Sequence, residues 1–193
     1  MKIISVNVGL PRVVTWNGRT VTTGIFKDPV TGPVRVGLTH LAGDGQADLT
    51  VHGGRAKAVY AYPSEHYTAW AREISAGTWP WGMVGENLTI EGLTEDDVRI
   101  GDRFRIGTAE LIVTQPRMPC FKLASKLQRP DVFRRFLSSG RTGWYLAVLH
   151  EGEVQAGDPI IRVALNEDGP TIADLVSGRG SRSRVQQPCT KRT

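Results

Sequence analysis

The sequence predicts a mainly β fold with helical insertions, closed into a barrel-like domain. Three observations carry this. Short β-branched or alternating runs recur along most of the chain, and few helical patterns interrupt them. The 22 glycines and 11 prolines supply the many turns that such runs need. A length of 193 residues suits one domain, or one domain with a short appendage, and is enough to bury a sizeable core without disulfide staples.

Residues 2–8 alternate and are β-branched, which predicts the first strand. Shorter strands follow at 13–16, 20–26 and 34–38, separated by Asn17-Gly18 and Thr31-Gly32-Pro33 turns. Residues 47–51 and 58–62 read as strands on either side of His52-Gly53-Gly54. The best early helix is 63–74, because Pro63 suits a first helical turn and Tyr67, Trp70, Ala71 and Ile74 repeat with helical spacing. After Trp79-Pro80-Trp81, strands resume at 87–90, 103–106 and 110–114. Residues 122–127 and 131–137 are short helical patterns, and 143–149 and 160–165 close the β series. Val98-Arg99-Ile100-Gly101-Asp102 and Val154-Gln155-Ala156-Gly157-Asp158 share a Val-x-x-Gly-Asp pattern that runs into a strand each time. They read as two similar hairpin entries in which Gly-Asp makes the tight turn. From about Asn166 the pattern fades into a helical turn at 171–176 and a Gly/Ser/Arg-rich tail. The domain is therefore assigned to 1–165 and the appendage to 166–193.

Charge and composition exclude several function classes. The net charge of +5 is confined to residues 178–193, where Arg179, Arg182, Arg184, Lys191 and Arg192 face no acid. Taking those five from 24 basic residues leaves 19 against 19 acidic ones, a formally neutral body. The tail reads as a solvated, disordered end. No aromatic RNA-binding signature accompanies it, so nucleic acid is not an expected partner. Two cysteines, Cys120 and Cys189, cannot build a disulfide framework, which fits a reducing, cytoplasmic compartment. The apolar start is short and interrupted by Asn7, and no stretch approaches the roughly 20 apolar residues of a membrane span. Cys-x-x-Cys and His-Glu-x-x-His motifs are missing and the four histidines are scattered, so no protein-ligated zinc or iron–sulfur site is expected. Neither a Walker A loop nor a Gly-x-Gly-x-x-Gly fingerprint occurs. His52-Gly53-Gly54 lacks a Gly-x-Ser-x-Gly elbow, which removes the serine hydrolases.

Four segments remain as carriers of chemistry. In Gln115-Pro116-Arg117-Met118-Pro119-Cys120-Phe121-Lys122, two prolines stiffen the approach to the thiol, Arg117 and Lys122 flank it, and a helix can start behind it. Each feature favours a thiolate, the form that attacks or ligates a soft metal, against the alternative of a buried structural cysteine. In Gly43-Asp44-Gly45-Gln46-Ala47-Asp48, running on to His52-Gly53-Gly54 and Lys57, a strand would place Asp48 and Thr50 on one face. There Gly53 and Gly54 let backbone amides approach an anion, Lys57 adds a positive charge, and His52 is a candidate proton donor. A polar turn with a satisfied histidine is the competing account. Gly85-Glu86-Asn87-Leu88 offers an acid and an amide to orient a heterocycle, or a solvated turn. Arg141-Thr142-Gly143-Trp144-Tyr145 offers a phosphate contact, or hairpin and core residues.

Taken together, Gly43-Asp-Gly-Gln-Ala-Asp48, His52-Gly-Gly54 with Lys57-Ala-Val59, Gly85-Glu-Asn-Leu88 and Gln115-Pro-Arg-Met-Pro-Cys120 resemble the ordered blocks of a MOSC domain, the molybdenum cofactor sulfurase C-terminal family. The likeness runs from the first strand to about residue 163. Thr23-Gly-Ile-Phe-Lys27 and Arg141-Thr-Gly-Trp-Tyr145 are most similar to the bacterial branch that detoxifies N-hydroxylated bases such as 6-hydroxylaminopurine. The resemblance implies a MOSC-type β-barrel that holds a molybdenum cofactor of the molybdopterin type, with Cys120 giving its thiolate to the metal. Lys57, Asn87, Arg117, Gly53, Gly54 and Thr142 are assigned from their chemistry to pterin or phosphate, and His52 and Asp48 to proton handling. The implied reaction converts R–NHOH, two electrons and two protons into R–NH2 and water. The cofactor performs the bond chemistry. Two cysteines cannot hold an iron–sulfur cluster and no flavin motif is visible, so a separate flavoprotein is the expected electron donor. Whether the chain is a monomer or a homodimer stays open. A sulfur carrier or cofactor-binding module without redox turnover is the rival reading. Two departures from the branch stand out: Ala147 replaces an expected Arg, and a three-helix C-terminal extension is short or degraded.

Overall fold

The β-branched start forms β1 (Lys2–Val8), and the Asn17-Gly18 turn joins β2 (Arg12–Trp16) to β3 (Arg19–Thr23) in a hairpin paired from Arg12↔Thr23 to Trp16↔Arg19. Asn17 and Gly18 both have positive φ, which the right-handed twist of a two-residue hairpin demands. The structure is a computed structural model and describes residues 1–47, 53–74 and 79–179. The remaining strands are β4 (Asp28–Val30), β5 (Val34–Val36), β6 (Val59–Pro63), β7 (Leu88–Glu91), β8 (Arg103–Ile106), β9 (Ala109–Pro116), β10 (Trp144–His150), β11 (Gly152–Val154) and β12 (Ile160–Ala164). Helices α1 (Tyr67–Ile74), α2 (Phe121–Leu127), α3 (Val132–Ser139) and α4 (Ile172–Val176) punctuate them. Eight strands share one sheet in the order β12-β8-β9-β10-β6-β7-β1-β4, and β11 pairs with β5 in a small second sheet.

The mainly β character with few helices is as the sequence predicts, but the closed barrel is not found. Among the described residues no ladder joins β12 to β4. Single backbone bonds span the seam instead: Ile3 N to Asp158 O, Gly157 N to Ile3 O and Ile160 N to Met1 O. Pro159, bridged to Lys2, has no N–H to donate, and β1 carries an irregularity between Ile3 and Ser5. The seam therefore lacks a backbone donor at Pro159.

Local details also shift. Pro63 ends β6 with extended dihedrals instead of opening the helix; a 3-10 turn at Ser64–His66 follows, and α1 begins at Tyr67. The strand expected to run to residue 26 stops at Thr23, where Gly24 meets the Gly45 carbonyl too closely for any side chain. Of the strand expected at 47–51, all but Ala47 lies outside the described residues. Both Val-x-x-Gly-Asp segments make the same turn. Gly101 and Gly157 have positive φ, and Asp102 and Asp158 accept from Arg99 N at 3.1 Å and Gln155 N at 2.9 Å. Strands β4 and β11, three residues each, were not anticipated.

Strand β6 is buried on both faces. Its alternation sends Val59 and Ala61 into the main core with Val6, Leu111 and Leu146, and sends Tyr60 and Tyr62 into an aromatic cluster with Trp70, Leu123 and Phe136. The β6–α1–β7 segment is a crossover that makes β6 and β7 parallel, pairing Ala61 with Leu88. Near the end of the described chain, α4 is closed by a capping box between Thr171 and Asp174 and buries Ile172 in the main core. No helix among the described residues is long and apolar enough to cross a membrane.

Replacing Leu146, 1% exposed at the centre of the sheet, by alanine is expected to destabilise the fold by about 2–5 kcal/mol. Urea denaturation followed by circular dichroism reads this as a lower midpoint at unchanged slope.

Candidate functional site

Strand β9 delivers the most reactive side chain. After Pro116 the backbone of Arg117 still donates to Gly143 O at 3.2 Å, and Met118-Pro119 then turns the chain out of the sheet. Cys120 follows with extended dihedrals, immediately before α2, and its carbonyl accepts from Leu123 N at 3.0 Å. Its thiol is free and partly exposed. The thiol opens on a cavity of about 670 Å³, counted with its open mouth. Lys27, Asp44, Lys57, Tyr60, Asn87, Arg117, Lys122 and Tyr145 are among the residues that line it.

The wall is built around a buried carboxylate. Asp44 accepts from Lys27 Nζ, from Asn87 Nδ2 at 2.9 Å and from Gly9 N at 3.0 Å. Asn87 completes its own hydrogen bonds by donating to Asn7 O at 3.3 Å and accepting from Tyr60 N at 3.1 Å. Its amide is thus a bracket within the protein. Burial lowers the pKa of Lys27, and the Asp44 carboxylate opposes that shift.

Other cations in the wall are differently placed. Arg117 is 5% exposed and lies over the rings of Tyr60 and Phe136 at 5.4 and 5.3 Å, and its Nη1 has no partner among the described residues. Burial works against its charge, but Tyr60, Tyr145 and Cys120 around it hold its pKa above the usual value. Lys122 is also buried in the wall, and Lys57 stands 6.0 Å from the Tyr145 ring. Burial raises the pKa of Tyr60 well above normal and that of Tyr145 above normal, against the pull of Arg117. Both phenols stay protonated at neutral pH. Tyr60 spends its proton on Thr142 O at 2.7 Å. The wall therefore combines several cations with one paired carboxylate, which suits an anionic ligand beside a thiol.

Of the residues singled out from the sequence, Cys120, Arg117, Lys57 and Asn87 come together around this cavity. Thr142 is fully buried behind Tyr60, with its hydroxyl donating to Gly143 O. Gly53 and Gly54 precede the 3-10 turn Arg55–Lys57, and the amide of Gly54 donates to Gln46 Oε1 at 2.9 Å. Asp48 and His52 lie outside the described residues. Sequence reasoning missed Lys27, Asp44, Tyr60 and Tyr145 as wall residues. Asp44 and Lys27 both lie in glycine-containing blocks; for Asp44, flanked by Gly43 and Gly45, that flanking was the available signal, and Lys27 carries no such signal.

The MOSC domain family matches residues 48–161. Protein YflK of Bacillus subtilis is 41% identical over 170 residues, covering 88% of this chain and 76% of the relative. Protein YiiM of Escherichia coli is 39% identical over 148 residues, 76% of this chain and 66% of its own length. A Gibberella moniliformis protein called a reductase is 36% identical over 146 residues; these are 74% of this chain but only 26% of that protein. Among solved structures, YiiM from Geobacillus stearothermophilus superposes with a TM-score of 0.76 at 41% identity, covering 91% of this chain and 81% of that one.

Replacing Asn87 by leucine leaves an Asp44 oxygen and the Tyr60 amide unpaired, and is expected to cost about 1–3 kcal/mol in denaturant titrations. Asn87→Asp is expected to cost more, because it sets a second carboxylate against Asp44.

Proposed function

Because this chain belongs to the MOSC domain family, we propose that it is a molybdenum cofactor-dependent reductase of N-hydroxylated compounds, 6-hydroxylaminopurine among them, acting in detoxification. The observation that carries the reading is the free Cys120 on the same cavity wall as the buried Arg117, whose Nη1 has no partner among the described residues. The relative called a reductase supports reductive chemistry in general, and MOSC domains are associated in general with molybdenum cofactor binding.

The residues present fit such a group. An unpaired guanidinium nitrogen in a buried wall is costly unless something anionic meets it, and a phosphate or pterin oxygen would do so. Arg117, Lys122 and Lys57 would hold these oxygens, and Cys120 would anchor the metal through its thiolate. Asn87 acts behind them, fixing Asp44 and so Lys27. When bound, the cofactor supplies the two-electron chemistry that cleaves the N–O bond. The chain's own part is to exclude water, orient the hydroxylamine and move protons; His52 and Asp48 are the residues proposed for that transfer. Electrons are proposed to come from a separate flavoprotein and the work to take place in the cytoplasm. A sulfur-carrier role uses the same partly exposed thiol, and metal content separates the two.

Molybdenum and pterin are to be measured in the full chain purified from cofactor-competent cells. The wild type is expected to carry near-stoichiometric metal and Cys120→Ala little or none. Arg117→Met is expected to weaken retention about 10- to 100-fold, the loss of one charge-assisted contact. Equal metal in wild type and Cys120→Ala would remove Cys120 as the anchor. No metal in either would favour the sulfur carrier. With metal present, 6-hydroxylaminopurine should be reduced only when a flavoprotein donor is added, and turnover with NADPH alone would count against a separate donor.

A further inference from the structure

We propose that Lys126 is a positioning residue for Cys120, tying the 23–27 wall of the cavity and the 82–85 loop to the helix that follows the thiol. The inference builds on Cys120 as the anchoring thiol, but its test needs no bound cofactor.

Lys126 lies on α2, the helix that starts directly after Cys120. Its ammonium points inward, donating to Ile25 O at 3.1 Å and to Gly82 O at 2.6 Å. Ile25 is part of the cavity wall, and Gly82 O also accepts from the amide of Gly85, another wall residue, at 2.9 Å. The two loops are in close contact, since at Gly85, where φ is +90°, a Cβ would stand 2.6 Å from Ile25 Cγ1. Lys126 thus joins three segments of the wall at one atom. An apolar residue there would leave the Ile25 carbonyl without this donor.

A cation is sustained at this depth by the charges around it. Glu86 is fully buried; its Oε1 accepts from Tyr67, from Gly82 N at 2.8 Å and from Thr89 Oγ1 at 2.8 Å, while Oε2 has no partner among the described residues. Burial lowers the pKa of Lys126 to about 8; Glu86 and Asp28 oppose the drop, and Lys27 and Arg12 add to it. The ring of Phe26 lies 5.6 Å from the ammonium and takes Arg12 on it at 3.6 Å. The sign of the pH effect follows. The folded pKa lies below the ordinary 10.5, so an opening that hydrates Lys126 takes up a proton between about pH 8 and 10.5. Such openings become rarer as pH rises through that window, and below it Lys126 adds no pH dependence.

Hydrogen-exchange mass spectrometry over residues 23–27 and 82–86, with iodoacetamide alkylation of Cys120 in a Cys189→Ser background, tests this on the full chain. Exchange is corrected for its intrinsic pH dependence. Wild-type protection of both segments should rise between pH 8 and 10, by at most about tenfold per pH unit for one linked proton. Lys126→Met should lower that protection at least about tenfold at pH 7, speed alkylation, and remove the part of the slope due to Lys126; the lost charge-assisted bonds set that scale. Lys126→Arg should restore protection without the slope. Lys126→Gln serves as a second neutral variant if the methionine form does not melt cooperatively. A neutral variant protected like wild type at pH 7, or one that keeps the wild-type slope, would overturn the proposal, while Cys120 metal binding could still stand.

Discussion

Asp44 carries a carboxylate whose side chain is only 4% exposed, and a buried charge must be matched where it sits or the fold loses several kcal/mol. The matching groups come from three places: the Gly9 amide just after β1, the Lys27 ammonium, and the Asn87 side chain just before β7. They are 35, 17 and 43 residues away in sequence. Satisfying one carboxylate therefore fixes the separation of three segments, and two of them, those of Lys27 and Asn87, line the cavity. Separating these segments would leave a buried charge unpaired.

The same logic explains why the cavity keeps a positive character. Lys27 is neutralised by Asp44 and Lys126 lies near Glu86, whereas the guanidinium of Arg117 rests over aromatic rings with one nitrogen unpaired among the described residues. The balance of the wall is tilted toward cations, beside a thiol that is itself free. Strand β6 supports this arrangement from behind. Its two faces serve two cores, and Tyr60 belongs at once to the aromatic cluster, to the cavity wall and, through its amide, to the Asn87 bracket. Structural packing and the site are not separable at that residue.

Much of the fold was legible because its signals are local. The alternation of 2–8, the Asn17-Gly18 hairpin, the two Gly-Asp turns and the helix just after Cys120 each depend on residues within a few positions of one another. Asn87 shows where this stops. An amide in a Gly-Glu-Asn-Leu block reads equally well as a ligand contact or a structural bracket, and only its three partners at distant positions distinguish them. Strand β4 was missed for a related reason: three residues containing Pro29 carry no periodicity, and the strand exists because β1 offers it an edge.

By itself the sequence determined a β-rich chain, the order of its elements, membership of the MOSC family, and a thiol framed by prolines and cations, since propensity, turn chemistry and motif spacing are properties of short stretches. Only the tertiary structure decided that the sheet stays open at the seam by Pro159, that Asp44 and Lys27 neutralise each other, and that Lys126 turns inward beneath the cavity wall. Each of these rests on a pairing between residues far apart in the chain, where burial, and not local preference, sets the energy.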